Sequence, residues 1–316
     1  MNTIKESFYD LKKYWDYFFE TKGFTLNGGT AAINDHAIQA AKVARGAGRG
    51  PVVFIHGIMP RSGTVYAGEL LRLHPEISHY PHQLWEFPAL QLTADILELQ
   101  QKFLRGYKKN RDKLGTAEFL PLFGASLIAF LHEPIPPDKR VLAKMPNVQY
   151  LNYFFSMFPH ENLLILLRDG RDLVHSTLRT WPNLNFVQVC LRWNRSARMI
   201  LNSLQYLNEE KTNGFLIAKY EDALENPEAF VREACCRFSL DVNTYPFEKI
   251  KWVRVVGSSH LSKEKNKKVE WSFIRRPADF RPVAYWRNWS LLRKQVFKVI
   301  AGRSLMDLGY CKDMSW

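Results

Sequence analysis

Residues 51–66 read PVVFIHGIMPRSGTVY, with Arg61, Ser62, Gly63 and Thr64 in succession. A guanidinium carries a permanent positive charge and a fork of donors, and two hydroxyls add further donors. Gly63 lets the backbone come close to a ligand. The run Val52, Val53, Phe54, Ile55 ahead of them is β-branched or aromatic and uncharged, which predicts a buried parallel strand. Behind them Val65, Leu70, Leu71 and Leu73 have helical spacing. Such a strand, loop and helix start aims free amides, here those through Val65, at an anion on the positive end of the helix dipole. That is chemistry for holding phosphate. The nucleotide-triphosphatase form of the loop has lysine after its second glycine. Here Thr64 follows Gly63, and the cation stands in front of it.

A second constellation lies in residues 163–176, LLILLRDGRDLVHS. An apolar strand ends at Arg168, and Ser176 follows in the next predicted helix. An arginine can grip a phosphate bidentately while a serine donates to the same group. Lys144 follows a predicted strand at 140–143, and Tyr220 and Glu221 follow one at 214–219. Ligands of parallel sheets bind beyond the carboxyl ends of the strands. Arg61, Lys144, Arg168 and Glu221 are therefore expected at one edge.

The elements that must position these groups alternate along the chain. Helical patterns are read at 31–44, 93–107, 116–131, 147–158, 173–179, 186–207, 227–238 and 291–308, with a short strand at 76–78. Strands alternating with helices predict an α/β fold of the P-loop type. It is a three-layer sandwich with a central parallel sheet of about five strands flanked by helices. Residues 1–50 are expected to form a helical extension, joined through a flexible linker at 45–50, and residues 51–316 one domain.

Composition narrows the classes. The chain has 316 residues, 46% of them hydrophobic, enough for a sizeable core. No apolar run approaches the ~20 residues that cross a bilayer. The first twenty residues lack the apolar core of an export signal, and four cysteines show no metal-binding spacing. A cytoplasmic protein without a metal site is expected. Residues 4–20 form an amphipathic pattern, expected to dock on their own domain, with peripheral membrane contact as the alternative. The net charge is +13, and residues 249–298 hold 14 Lys/Arg against 3 Asp/Glu, or +11. Such a stretch attracts anions.

PRSGT resembles the 5′-phosphosulfate loop of the sulfotransferases that use 3′-phosphoadenosine 5′-phosphosulfate (PAPS). LLILLRDGRDLVHS resembles their 3′-phosphate motif, with Arg168 and Ser176 at its spacing. Ala143-Lys144-Met145-Pro146, residues 218–228 (AKYEDALENPE) and residues 298–310 (KVIAGRSLMDLGY) resemble further segments of that family, in order. The loop arginine places the chain nearest the bacterial and tyrosylprotein-type branch. The resemblance implies PAPS as co-substrate, adenosine 3′,5′-bisphosphate as product, and no metal. It implies a nucleotide site formed by Arg61, Ser62, Gly63, Thr64, Val65, Arg168, Ser176 and Tyr220. Gly257, Ser258 and Ser259 would close over it, because Val255-Val256-Gly257-Ser258-Ser259 resembles a segment of bacterial members.

It also implies a general base some twenty residues past the loop cation. Ungapped counting reaches His82, in the aromatic loop HYPHQLWEFP, and a gap would nominate Glu86. Arg61 and Lys144 would stabilise charge on the leaving phosphate. The expected acceptor is a hydroxyl or amine on a small molecule, lipid or carbohydrate, with no nucleic-acid partner. Two rivals are weighed beside this. A P-loop kinase or NTPase would need the missing loop lysine. A basic nucleic-acid or membrane-binding protein would rest on the charge of residues 249–298.

Overall fold

A computed structural model describes residues 33–78, 86–107, 109, 113–115, 117–210, 213–257, 274–275, 277 and 280–316. The expected helix at 4–20 lies outside the described residues.

The first described helix is α1 (Asp35–Ala44), capped by the Asn34 side chain, which accepts from the Ala37 amide at 3.0 Å. It then runs through β1 (Val53–Gly57), α2 (Thr64–Leu71), β2 (Ile77–Ser78), α3 (Thr93–Gly106) and α4 (Phe119–His132). β3 (Arg140–Met145), β4 (Asn162–Leu167), α5 (Gly170–Thr180), α6 (Phe186–Glu210) and β5 (Phe215–Lys219) follow. The last part holds α7 (Tyr220–Glu225), α8 (Pro227–Phe238), an antiparallel pair β6 (Arg254–Val255) and β7 (Ile274–Arg275), and α9 (Leu291–Asp307). As expected, a left-handed Gly309 (φ 72°) follows the end of α9.

Five strands form one sheet in the order β2-β3-β1-β4-β5, all parallel. β1 and β4 occupy the middle and are buried along their whole length, which is why both read as continuous apolar runs. Alternation along β1 splits its side chains between two layers. Val53 and Ile55 pack with α2, α7 and α8 in one core, with Leu70, Phe230 and Phe238. On the other side Phe54 stacks on Phe158 at 4.7 Å and meets Phe154 edge-on at 5.4 Å. Helices therefore cover both faces, giving the expected three layers. The chain leaves β1 toward β2 and β3 and later returns to β4 on the other side, so the crevice of the sheet opens between β1 and β4.

Two local readings change. Residues 45–50 are not a free linker. The Arg45 guanidinium is buried against Glu161 and donates to the carbonyls of Arg49 and Gly50 at 3.1 Å each. Glu161 also accepts from the Val52 amide at 2.5 Å, which ties this loop to the start of β1. Helix α1 packs on α4 and belongs to the same compact unit, residues 31–316. The helix expected at 147–158 is only two short turns, Leu151–Tyr153 and Phe154–Met157. The Asn147 side chain accepts from the Gln149 amide at 2.7 Å, and Tyr150 is left-handed (φ 61°), so the local turn outcompetes the helix.

Candidate active site

The loop at 58–63 follows β1 and ends at the start of α2. Arg61 (φ 81°) and Gly63 (φ 91°) are both left-handed, on either side of Ser62. For an arginine this backbone is uncommon and costs about 1–2 kcal/mol, a pattern found where function over-determines structure. Ser62 is buried and its hydroxyl closes the turn: it donates to the Met59 carbonyl and accepts from the Met59 amide at 3.2 Å. The hydroxyl read as an anion donor thus shapes the loop from within. Gly63 has no room for a side chain, since a Cβ there would lie 2.2 Å from the Tyr220 ring. Tyr220, the first residue of α7, follows β5 directly and meets the Tyr66 ring edge-on at 6.1 Å. Among the described residues no carbonyl accepts from the amides of Gly63, Thr64 or Val65. They line the free end of α2, as an anion site requires.

Arg168 leaves the end of β4 beside this loop and is 5% exposed. Its Nη1 donates to the Arg61 carbonyl at 2.6 Å and its Nη2 to the Pro282 carbonyl at 2.8 Å. The guanidinium lies 4.8 Å from the centre of the Tyr220 ring. Arg61 turns its Nε toward the Ser176 hydroxyl at 3.5 Å and its Nη2 to the Gly257 carbonyl. Arg61, Arg168 and Ser176 are thereby brought together, with Gly257 (φ 69°) over them. Burial, and then the charge of Arg168, push the Arg61 guanidinium down to about 10, still protonated near neutral pH. Two buried like charges favour an anion placed between them. The Arg168 Nε is buried without a partner among the described residues. An unsatisfied buried donor is costly, and a phosphate oxygen would satisfy it. The residues present therefore fit a nucleotide carrying phosphates at both ends.

Residues distant in sequence hold Arg168 in place. The Glu221 carboxylate accepts from the Asp169 amide at 2.9 Å and from the Tyr310 hydroxyl at 3.3 Å, and burial raises its pKa. Glu221 is thus a strut under the motif. Asp169 accepts from Nε and Nη2 of Arg171, whose guanidinium lies 3.9 Å from the centre of the Trp286 ring and 4.5 Å from that of Trp316, two rings that meet edge-on at 5.2 Å. Asp172 accepts from the Ala284 amide at 2.6 Å and the Trp286 amide at 3.4 Å, anchoring the segment that carries the Pro282 carbonyl.

On the other flank, Lys144 Nζ lies 3.5 Å from Glu86 Oε1. The Phe87 amide donates to the Lys144 carbonyl at 3.0 Å, which pins Glu86 to the end of β3. Burial lowers the Lys144 pKa and Glu86 partly offsets it. His82, Ser258 and Ser259 lie outside the described residues.

Sequence reading missed His56. It lies in β1, 1% exposed, and donates from Nδ1 to the Asn147 carbonyl at 2.7 Å. Its only sequence signal is a titratable group in an otherwise apolar strand. Burial holds its pKa down at about 4, against an ordinary 6.5. The folded-state pKa is depressed, so its contribution is whole above about 6.5 and is lost as pH falls from there toward about 4. In that window the unfolded chain takes a proton that the fold resists. A loss of about 3 kcal/mol is expected across it, read by urea unfolding. In His56→Gln the dependence should flatten, and an equal slope in both proteins would remove His56 as its source.

A family model described as the sulfotransferase family matches residues 51–244, well over half the chain. This chain belongs to the sulfotransferase family. The matched span includes Arg61, Lys144, Arg168, Ser176 and Tyr220. Protein-tyrosine sulfotransferase 1 of Danio rerio is 24% identical over 273 residues, covering 82% of this chain and 72% of the relative. The protein-tyrosine sulfotransferase of Drosophila melanogaster is 26% identical over 190 residues, covering 58% and 37%. That of Mus musculus, type 1, is 30% identical over 159 residues, covering 46% and 40%. The matched part thus spans from 37% to 72% of these relatives' own lengths. Among solved structures, the sulfotransferase domain of the Synechococcus olefin synthase is 16% identical with a TM-score of 0.47, covering 79% of this chain and 95% of that one. A mouse sulfotransferase complexed with PAP is 12% identical with a TM-score of 0.46, covering 87% and 91%.

Proposed function

We propose that this chain transfers the sulfuryl group of PAPS to an acceptor hydroxyl, or amine, by in-line displacement. The observation that carries this is the convergence of Arg61, Arg168 and Ser176 around the unpartnered Arg168 Nε. Arg168 and Ser176 hold the 3′-phosphate of the nucleotide. The free amides of residues 63–65, with Arg61, receive the 5′-phosphate. Glu86 takes the acceptor's proton, or His82 does in its place. Lys144, beside Glu86, adds a positive charge where the leaving oxygen gains negative charge. The acceptor oxygen–sulfur bond forms as the bond from sulfur to the 5′-phosphate breaks, and the proton ends on the base. The relatives named protein-tyrosine sulfotransferases favour the phenolic hydroxyl of a protein tyrosine as acceptor. Small-molecule, lipid and carbohydrate acceptors compete with it in the same assay. The free thiols of Cys190, Cys235, Cys236 and Cys311 favour a reducing compartment, such as the cytoplasm.

Adenosine 3′,5′-bisphosphate at about a hundred times its Kd is expected to stabilise the protein by about 2.7 kcal/mol. That is a rise in Tm on the order of 5 °C. AMP, lacking the 3′-phosphate, should give far less. In Ser176→Ala and Arg168→Ala the difference between the two nucleotides should shrink or vanish, whatever the variant's own Tm. Equal stabilisation of the wild type by both nucleotides would remove the 3′-phosphate site. Mg²⁺-dependent ATP hydrolysis without bisphosphate binding would favour the kinase or NTPase reading. Transfer of label from PAPS to tyrosine peptides, set against the other acceptor classes, tests the acceptor.

A further inference from the structure

Helix α4 carries a contradiction between its sequence and its surroundings. Its fourteen residues, FLPLFGASLIAFLH, contain no Asp, Glu, Lys or Arg. A helix that apolar on all sides belongs in a core or against lipid. Only one side of it is covered: Leu120, Ala125, Ile128 and Leu131 are buried, while Phe123 is 41% and Phe130 60% exposed. The open face continues onto α3 through rings in series. Phe123 lies 6.3 Å from Phe119, Phe119 5.5 Å from Phe103, and Phe103 4.9 Å from Tyr107, itself 60% exposed. Leu99 and Leu122 are exposed as well. A joined aromatic face of this kind marks an interaction surface, whereas single exposed apolar residues do not.

Its border says what covers it. Residues 93–133 hold six Lys/Arg, all of them within 102–113 beside Phe103 and Tyr107, and five Asp/Glu, of which only Asp112 falls in that stretch. Lys102, Arg105, Lys109 and Lys113 are exposed there, and of these Lys102 pairs with Glu98 at 2.7 Å, an exposed contact of little strength. Phenylalanine and tyrosine rings edged by lysine and arginine match the boundary of an anionic bilayer. The rings enter the acyl region and the cations meet the headgroups. A second copy stacked on this face would instead bring two cationic borders into one interface. We infer that the α3–α4 face docks this protein peripherally on an anionic lipid surface. No described helix is long and apolar enough to cross a membrane, so this contact lies along the surface. The inference stands apart from the proposed reaction and needs no nucleotide.

The test is cosedimentation of the full chain with vesicles of phosphatidylcholine alone and of phosphatidylcholine with phosphatidylserine. Binding to the anionic vesicles, weakened by added salt, is expected, with little binding to the neutral ones. Two double variants probe the two halves of the surface: Phe123→Asp with Phe130→Asp, and Lys102→Glu with Arg105→Glu. All four side chains are exposed, and an unchanged Tm verifies folding. Each double variant should lower binding at least about tenfold. Failure of the wild type to bind anionic vesicles would overturn the inference. So would undiminished binding by both variants, which would move the lipid contact elsewhere, for instance to residues 4–20. A wild-type dimer in sedimentation equilibrium that the same substitutions dissociate would also overturn it and assign the face to a second copy.

Discussion

Arg61→Ala is expected to lower turnover by about 10²–10³-fold, the range for removing one preorganised donor at developing charge. Nucleotide affinity should fall much less. The Arg61 carbonyl still accepts from Arg168, and the free amides of residues 63–65 remain in place. The backbone supplies a control. Arg61 is left-handed at φ 81°, a conformation that alanine resists as arginine does and that glycine adopts freely. Arg61→Gly should therefore be more stable than Arg61→Ala by about 1 kcal/mol, while both lose the same turnover. Arg61→Lys keeps the charge, but it loses the planar fork that reaches Ser176 and Gly257 together, and should lie between. Single-turnover assays with PAPS separate the chemical step from binding. Normal turnover with only a raised KM for PAPS would make Arg61 an ordinary binding residue.

Glu161→Ala should cost about 3–5 kcal/mol of stability, the usual result of removing one partner from a buried ion pair. Glu161 is 1% exposed and Arg45 5%, so the deletion leaves a guanidinium in the interior with nothing to neutralise it. The Val52 amide loses its acceptor in the same step. Arg45→Met combined with Glu161→Leu removes both charges and should cost clearly less than the two single changes added together. Urea unfolding measures all of these. A loss below about 1 kcal/mol for Glu161→Ala would mean that residues 45–50 contribute little to the domain. The same variant should leave the preference for adenosine 3′,5′-bisphosphate over AMP intact, because the ion pair lies at the start of β1 and the nucleotide site at its end.

What was legible in the sequence had a local cause. Residues 52–55 and 163–167 are apolar without interruption because β1 and β4 are buried on both faces, and burial on both faces is what a central parallel strand requires. The loop arginine, the glycine and the helix start lie within a few residues of one another, so their joint chemistry shows in one short string. The spacing of Arg168 and Ser176 is local as well, running from the end of β4 into the second turn of α5. Local pattern misled where a short-range competitor was present: Asn147 took the Gln149 amide and diverted residues 147–158 from the expected helix.

The tertiary structure decided which partner each charge takes. Arg168 spends two donors on the carbonyls of Arg61 and Pro282, 107 and 114 residues away, and nothing near Arg168 in the sequence names either. Arg45 finds Glu161 across 116 residues, which turned an apparent linker of small and basic residues into a buried clamp. The Ser62 hydroxyl turned inward, and the His56 ring lost its charge to burial, because neighbours from other elements closed over them. Periodicity and turn chemistry act over a few residues and can be read from a string. Hydrogen-bond partners and desolvation are set by elements that meet only when the sheet assembles in the order β2-β3-β1-β4-β5.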